Sequence, residues 1–100
     1  MIPANLTLIG PFPNPAGYES NIVYYLSRFA DITIRVFSVS GELVRQVKLK
    51  GQTGYNNWNW DLKNNSEKKV ASGIYIIHII MDDSIYKRKE DAWCKASVVK

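Results

Sequence analysis

The side chains with the greatest capacity for chemistry in this chain are one histidine, His78, and one cysteine, Cys94. Nucleophilic catalysis requires a base beside the nucleophile, and acid–base catalysis requires titratable groups that face one cleft. The sequence shows no Ser–His–Asp arrangement, no close pair of carboxylates and no glycine-rich phosphate loop. We therefore predict that the chain is not an enzyme and that it has no catalytic or cofactor-binding residues.

Cys94 is predicted to be a buried structural residue. A single cysteine cannot form a disulfide within the chain, so the fold does not depend on oxidation. Cys94 alternates with Ala92, Ala96 and Val98 along a predicted strand, which places its thiol on the apolar face. A reactive or metal-bound thiol needs histidine or cysteine neighbours, and His78 is the only candidate in the sequence.

Oxygen-bearing side chains cluster in residues 61–69. This stretch contains Asp61, Asn64, Asn65 and Glu67, which could bind Ca2+. Their spacing does not match an EF-hand loop, and only two of the four are carboxylates. Asp61 can instead accept backbone N–H groups of the turn that follows it, as Asx side chains do. We predict this turn and no metal site, with calcium binding as the alternative.

The aromatic residues Trp58 and Trp60 fall on the same face of a predicted strand. One interpretation is that Trp60 fills the core between two sheets, with Trp58 beside it. The alternative is a platform on which sugar rings stack, because aromatic faces bind apolar ring faces. The tyrosines that could extend such a platform are Tyr18, Tyr24, Tyr25 and Tyr55. We favour the core, since β-sandwiches commonly bury such residues.

Basic residues give the chain a formal net charge of +4. Much of this charge lies in residues 68–69 and 87–89. The second of these clusters is followed directly by Glu90 and Asp91, whose negative charges partly cancel it. A nucleic-acid interface needs a broader basic stripe, so we predict solvated turns and no nucleic-acid partner. No apolar stretch reaches the roughly 18 residues of a membrane span. Residues 1–3 lack the features of a signal peptide, and we expect the chain to be a segment cut from a longer protein.

Strands are the elements that must position these residues. Apolar side chains alternate with period two in short runs that Gly, Asn, Asp and Pro interrupt, and no segment predicts a helix. Residues 10–15 contain three prolines, which predicts a rigid extended loop. Residues 82–84 are polar and predict a turn. The predicted strands cover residues 6–9, 21–27, 31–39, 43–49, 55–60, 74–81 and 85–100.

This pattern predicts an all-β, immunoglobulin-like (fibronectin III-like) β-sandwich of about seven strands in two antiparallel sheets. A chain of 100 residues has the size of one domain, so residues 1–100 are expected to form a single sandwich. The Cys–Trp–Cys arrangement of antibody domains is absent, and the core must therefore be stabilised by packing alone.

Residues 74–81 have the strongest β-forming character in the chain. Alternation directs one set to the core, namely Tyr75, Ile77, Ile79 and Met81. The opposite face then presents Ile74, Ile76, His78 and Ile80. Three outward isoleucines are more than solubility requires. Either neighbouring side chains cover them, or they contact a partner or an adjoining domain.

Prolines and glycines mark the predicted turns. Pro13, Asn14 and Pro15 make a rigid entry to the sandwich or, alternatively, a recognition epitope for a secretion machine. Gly41 is expected to have a positive φ in a hairpin turn. Gly73 allows a bend or a close approach at the start of its strand.

Five segments occur in a fixed order along the chain: Pro13-Asn14-Pro15, ITIRVFSVSGELV, WNWDLKNN, VASGIYIIHI and SVVK. In this order they resemble the immunoglobulin-like domain shared by flagellar hook-capping proteins and by C-terminal sorting domains of type IX secretion cargo. The residues that match the family are Gly41, Trp60, Asp61 and the run Ala71-Ser72-Gly73-Ile74-Tyr75.

The chain departs from this family at two places. The family usually has glycine after Trp-Asp, where this chain has Leu62. The last hairpin is also longer, because it carries the charged residues 87–91 where the family tends to be compact. The second departure lies towards the end of the domain, to which the family's sorting role is attributed.

The resemblance implies a non-catalytic C-terminal module of a larger exported bacterial protein, located outside the cell or at its surface. Its role would be secretion sorting or cell-surface attachment of an upstream domain. The implied partners are that upstream domain and the secretion machinery or other cell-surface components. Partner contacts are expected at Ile74, Ile76, His78, Ile80, Lys95, Val98, Val99 and Lys100. The alternatives are a structural assembly module, as in hook-capping proteins, and an accessory carbohydrate-binding module that uses Trp58 and nearby tyrosines.

Overall fold

Alternating apolar residues form seven strands within residues 4–100, the part of the chain that the computed structural model describes. The strands are β1 (Leu6–Phe12), β2 (Ser20–Leu26), β3 (Ala30–Ser38), β4 (Leu43–Gly51), β5 (Gly54–Trp60), β6 (Gly73–Asp83) and β7 (Arg88–Val98). Between residues 4 and 100 no helix is present that could span a membrane. Residues 1–3, which we predict not to form a signal peptide, lie outside the described range.

The strands form two sheets whose neighbouring strands are all antiparallel. Sheet A has the order β1-β2-β5, and sheet B has the order β4-β3-β6-β7. The predicted all-β, immunoglobulin-like sandwich is therefore confirmed. β2 is the central strand of sheet A, while β3 and β6 are the central strands of sheet B, so these three strands have the most residues available for the core.

The core lies between the sheets, and every second residue of the central strands is buried, as predicted. This buried set comprises Ile22, Tyr24, Leu26, Ile32, Ile34, Val36, Tyr75, Ile77, Ile79 and Met81. Burial of one aliphatic side chain of this size contributes roughly 1.5–3 kcal/mol relative to leaving it exposed. Trp60 is also buried, and its ring meets that of Tyr75 edge to face, with 5.5 Å between the centroids.

β1 is longer than predicted. The loop expected at residues 10–15 begins only after Phe12, because the strand continues through Gly10 and Pro11. A register shift between Leu8 and Gly10 interrupts the ladder with β2. Proline is tolerated at this position because β1 is an edge strand, whose outer side has no ladder to complete.

The turn between the last two strands lies at residues 84–87 instead of the predicted 82–84. Asp82 and Asp83 continue β6, and β7 begins at Arg88. Two adjacent aspartates are typical of a turn, but the carboxylate of Asp83 is buried and accepts hydrogen bonds from distant parts of the chain. This tertiary environment overrides the local preference.

The connecting segments gather at two opposite ends of a molecule 45 Å long. We call one the signature end, because the family motifs lie there; it comprises residues 13–19, 39–42, 61–72 and 99–100. We call the other the Asp83 end; it comprises residues 4–5, 27–29, 52–53 and 84–87.

Candidate functional site

The residues predicted as structural motifs are brought together at the signature end, although they are spread over most of the sequence. They are Pro13, Asn14, Pro15, Gly41, Trp60, Asp61, Gly73 and Tyr75. Gly41 has a φ of 93°, which confirms the predicted left-handed turn between β3 and β4. The motifs therefore mark the strand ends and loops of one end of the sandwich.

Asn14 connects the segment after β1 to the last strand. Its Oδ1 accepts a hydrogen bond from the backbone N–H of Ser97, with 2.8 Å between the atoms. Two residues later, Ala16 donates to the carbonyl of Ser97 at 2.7 Å and accepts from the N–H of Val99 at 2.9 Å. The Pro-Asn-Pro motif thus begins a short strap that crosses from sheet A to sheet B.

Trp60 and Asp61 hold the start of the loop 61–72. The indole Nε1 of Trp60 donates to the carbonyl of Lys63 at 3.0 Å, and the backbone N–H of Lys63 donates to Asp61 Oδ1 at 3.1 Å. The predicted Asx turn is therefore confirmed. At the other end of the loop, the hydroxyl of Tyr75 donates to the carbonyl of Ala71 at 2.6 Å.

Leu62 occupies the position at which the resemblance noted in the sequence implies a glycine. Its φ is 61°, a left-handed conformation that glycine adopts readily and that costs an L-residue roughly 1–2 kcal/mol. The side chain is nevertheless buried in the core. The loop therefore keeps a backbone geometry suited to glycine, while the leucine adds apolar contacts that offset the strain.

The amides considered as calcium ligands are engaged elsewhere in the loop. Asn64 Oδ1 accepts the backbone N–H groups of Ser66 and Lys68, and Asn65 Oδ1 accepts that of Gln46 on β4. Within the described residues, no group of three or more His, Cys, Asp or Glu side chains is placed to hold a metal ion. The arrangement fastens the loop to the edge of sheet B.

Glu67 also contributes to this fastening. It pairs with Arg45 on β4 at 3.3 Å, and the same guanidinium donates to the carbonyl of Asn64 at 3.1 Å. The four candidate ligands therefore have distinct structural partners.

The outer face of β6 is largely covered by its neighbours. Ile76, His78 and Ile80 are half-buried, and Ile74 is exposed. The imidazole of His78 stacks on Trp93 of β7, with 3.7 Å between centroids and an interplanar angle of 8°. Its Nε2 also lies 2.7 Å from Asp91 Oδ2. Trp93 was not among the predicted contact residues, although it lies directly opposite His78 in the β6–β7 register.

Cys94 and His78 do not form a joint site. Cys94 lies opposite Ile77, one residue from the His78 pair, and its side chain packs against the core on the other face of the sheet. Burial raises the pKa of this thiol to about 11, so it stays protonated at neutral pH and is a poor nucleophile.

The last residues of the chain differ in accessibility. Val98 lies in the core with 1% exposure and has no surface to offer a partner, contrary to expectation, because its strand directs it between the sheets. Lys100 is held by its neighbours: its N–H donates to Ser72 Oγ at 3.0 Å, and its Nζ donates to the carbonyl of Val70. Lys95 and Val99 are exposed.

The tryptophan platform for sugars does not exist on this fold. Trp60 and Tyr24 are buried, and Trp58 is partly buried and packs against the core residues. Tyr25 and Tyr55 are exposed on the outer face of sheet A, and Tyr18 is exposed at the signature end. A cavity of about 340 Å³ lies at that end between Tyr18, Asp61 and the last two residues.

Comparison with known proteins identifies both a family and a set of similar folds. Residues 15–83 match the family model described as the FlgD Ig-like domain. No curated protein sequence matches the chain.

Among solved structures, dimeric latent PorU from Porphyromonas gingivalis is similar over 99% of this chain and 10% of its own, with 19% identity and a TM-score of 0.81. FlgD from Xanthomonas campestris, described as a hook-capping protein, is similar over 94% of this chain and 68% of its own, with 15% identity and a TM-score of 0.69. PorZ from P. gingivalis is similar over 91% of this chain and 11% of its own, with 19% identity and a TM-score of 0.52. This chain thus spans about a tenth of PorU and PorZ, and at these identities the likeness shows the shared fold.

Proposed function

Because the chain belongs to the FlgD Ig-like domain family, we propose that it is a non-catalytic, C-terminal module of a larger exported bacterial protein. It serves secretion sorting, or attachment of an upstream domain at the cell surface. The observation that carries the proposal is the likeness to PorU, which extends over 99% of this chain and only 10% of that one. PorZ, a second similar structure, is described as a surface component of the type IX secretion system.

The geometry supports a module with two separate contact regions. Residues 4–6 lie at the Asp83 end, whereas residues 98–100 lie at the signature end of the 45 Å molecule. An upstream domain and a secretion component can therefore engage opposite ends without competing. Lys95, Val99 and Lys100 are the exposed members of the predicted terminal contact set. Because both nitrogens of Lys100 bond within the module, we assign the contact with the secretion machinery to Lys95 and Val99.

Surface delivery of a reporter tests this proposal. The reporter is fused ahead of the chain in a bacterium that has a type IX system, and surface-exposed reporter is measured by protease accessibility. We expect the double variant Lys95→Ala, Val99→Ser to reduce delivery, because both residues are exposed and the core stays intact. Trimming residues 95–100 is less informative, since it also removes the buried residues Ala96 and Val98.

Lys48→Ala is the matched control, because Lys48 is another exposed lysine on sheet B, far from the last residues. Normal delivery of the double variant would contradict the assigned contact. Equal delivery of the reporter with and without the chain would contradict the sorting role itself.

A structural assembly role is the second candidate. The observation that favours it is an apolar group on the outer face of sheet B, in which the half-buried residues Phe37 and Ile76 lie between the exposed residues Leu43 and Ile74. Exposed apolar residues that lie close together are typical of protein contact sites. On this hypothesis copies of the module associate through that face, and sedimentation velocity at increasing concentration shows an oligomer that Ile74→Ser dissociates. A monomer at all concentrations would rule it out.

A further inference from the structure

The outer face of sheet A differs from the rest of the surface in charge. The chain has 13 lysines and arginines, and none of them lies in β1, β2 or β5. The outward residues of β2 and β5 are instead tyrosines, asparagines and one valine, namely Asn21, Val23, Tyr25, Tyr55, Asn57 and Asn59. A positively charged protein therefore presents one broad face without cations.

Two tyrosines form one half of this face. Tyr25 and Tyr55 are directly opposite each other in the β2–β5 register, and their rings meet edge to face with 5.2 Å between centroids. Tyr55 is 75% exposed, so most of its ring surface is accessible to a ligand. The contact with Tyr25 orients the ring of Tyr55, and an oriented aromatic ring loses little conformational entropy on binding.

Three asparagines form the other half. Asn21 Oδ1 accepts hydrogen bonds from the Nδ2 atoms of Asn57 and Asn59, at 3.2 and 3.0 Å. The Nδ2 of Asn59 also donates to Glu19 Oε2 at 2.7 Å. These bonds fix the orientation of the three amides. Within residues 4–100, Asn21 Nδ2 and the Oδ1 atoms of Asn57 and Asn59 have no protein partner, so donors and acceptors both remain available.

We propose that this amide–tyrosine face (Asn21, Tyr25, Tyr55, Asn57 and Asn59) binds a neutral polysaccharide. Tyr55 stacks on the apolar face of a sugar ring, and the amides exchange hydrogen bonds with its hydroxyl groups, which both donate and accept. Side chains two apart on a strand are about 7 Å apart, so the row from Tyr55 to Asn59 is about 14 Å long and fits a short run of sugar units.

The chemistry of the face favours this ligand over other polymers. Nucleic acids and acidic polysaccharides require cationic contacts, which β1, β2 and β5 lack. A protein partner would favour a more apolar central patch than this face provides, since its exposed apolar residue Phe12, opposite Asn21, lies on the edge strand β1. The inference does not depend on the proposed sorting role, because it concerns a different surface of the module.

Affinity electrophoresis in native gels tests the inference. The gels contain one soluble neutral polysaccharide each: xylan, glucomannan, mannan, a β-1,3-glucan or hydroxyethylcellulose. We expect at least one of them to retard the protein. Tyr55→Ala should weaken the retardation about tenfold, because the stacking surface is lost. Asn57→Ala should weaken it less and provides a second variant if Tyr55→Ala does not fold.

Trp93→Ala is the matched control, because Trp93 is a 58% exposed aromatic residue on the outer face of sheet B. It should leave the retardation unchanged. The proposal is overturned if none of the five polymers retards the protein, or if Trp93→Ala weakens binding as much as Tyr55→Ala. A further gel contains dextran sulfate, an acidic polymer. The proposal is also overturned if this gel alone retards the protein and added salt abolishes the effect, since that result reports the net charge alone.

Discussion

The two ends of the sandwich are stabilised by different chemistry. At the signature end, the family motifs act mainly through neutral groups: the indole of Trp60, the hydroxyl of Tyr75 and the amide of Asn14 each bond a backbone partner. At the opposite end, the main organising group is the buried carboxylate of Asp83, which is 2% exposed. The residues shared with the family thus define only one of the two ends.

Asp83 joins three separate segments of the Asp83 end. Its Oδ2 accepts the N–H of Ala4 at 3.1 Å, and its Oδ1 accepts those of Ile85 and Tyr86 at 3.2 and 3.3 Å. Arg28 lies 3.3 Å from both oxygens. The hydrogen bond from Ala4, followed by those of the turn and the charge of Arg28, lowers the pKa of Asp83 despite its burial.

Glu90 repeats this arrangement on β7. It accepts the backbone N–H of Leu6 at 3.0 Å and pairs with Arg88. The bond from Leu6 is the main reason that the pKa of Glu90 is lowered. The charged stretch that distinguishes the last hairpin from the family therefore fastens β1 to β7. Acid protonates both carboxylates and so removes the charge that stabilises their contacts. Because both lie in or near the Asp83 end, low pH should destabilise that end first.

Trp60→Ala should have the largest effect on stability. The substitution removes a buried indole and its bond to Lys63, and losses of about 3–5 kcal/mol are usual for such truncations. Urea unfolding followed by tyrosine fluorescence measures the change. Trp93→Ala, at an exposed position, is the control and should cost much less. Similar losses for both would mean that Trp60 does not organise the signature end.

Asp83→Asn should have the next largest effect on stability, and it should destabilise the Asp83 end. The amide leaves the buried guanidinium of Arg28 without a countercharge, which is strongly unfavourable. We expect a lower melting temperature at pH 7 and a weaker dependence of stability on pH below 5. Asp82→Asn changes the adjacent, less buried aspartate and should leave both quantities nearly unchanged. If the two variants behave alike, the hydrogen bonds and the ion pair of Asp83 contribute no specific stability.

This contrast also explains what the sequence could predict. Period-two alternation was sufficient to locate β2, β3 and β6 and to assign the core face of β6, since a face pattern depends only on local order; it did not predict where β6 ends. The role of Asp83 was not predictable, because its partner Ala4 lies 79 residues away in sequence. The stack of His78 on Trp93 likewise depends on the register between β6 and β7. Local patterns do not specify such long-range pairs.

The motifs of the signature end could be recognised in the sequence, but the contacts that these residues make could be assigned only from the structure. Pro13, Asn14 and Pro15 predicted a rigid entry, but the bond between Asn14 and Ser97 depends on where β7 ends. Val98 was predicted as a partner contact because it lies near the end of the sequence, whereas its strand directs it into the core.

Leu62 at the signature end combines a left-handed φ with a buried side chain, whereas Lys87, the left-handed residue of the Asp83 end, has a φ of 53° and is exposed. Both Leu62→Ala and Leu62→Gly remove the buried side chain, but only glycine relieves the left-handed φ of 61°. We expect Leu62→Gly to be about 1–2 kcal/mol more stable than Leu62→Ala in urea unfolding. At Leu26, a buried strand residue, the order should reverse, since glycine there is less stable than alanine by about 0.5–1 kcal/mol. The same order at both sites would contradict strain at Leu62.

Tyr75→Phe should have the smallest effect. It removes the hydroxyl bond to Ala71 and leaves the ring against Trp60, so a loss of about 1 kcal/mol is expected. Tyr55→Phe is the control, because that hydroxyl is on an exposed ring, and its unfolding midpoint should not change. An unchanged midpoint for Tyr75→Phe as well would show that the hydroxyl bond does not stabilise the loop.

Amide hydrogen exchange, followed by NMR at pH 6 and pH 3 and corrected for intrinsic rates, tests the contrast between the two ends most directly. The pKa values of Asp83 and Glu90 are lowered in the folded state, so their stabilisation is present above about pH 4 and is lost as the pH falls through the folded-state values. We predict that the amides of Ala4, Leu6 and Ile85 are less protected at pH 3 than at pH 6, while the protection of those of Ser97 and Val99 changes less. Equal loss at both ends, or earlier loss at the signature end, would contradict the account.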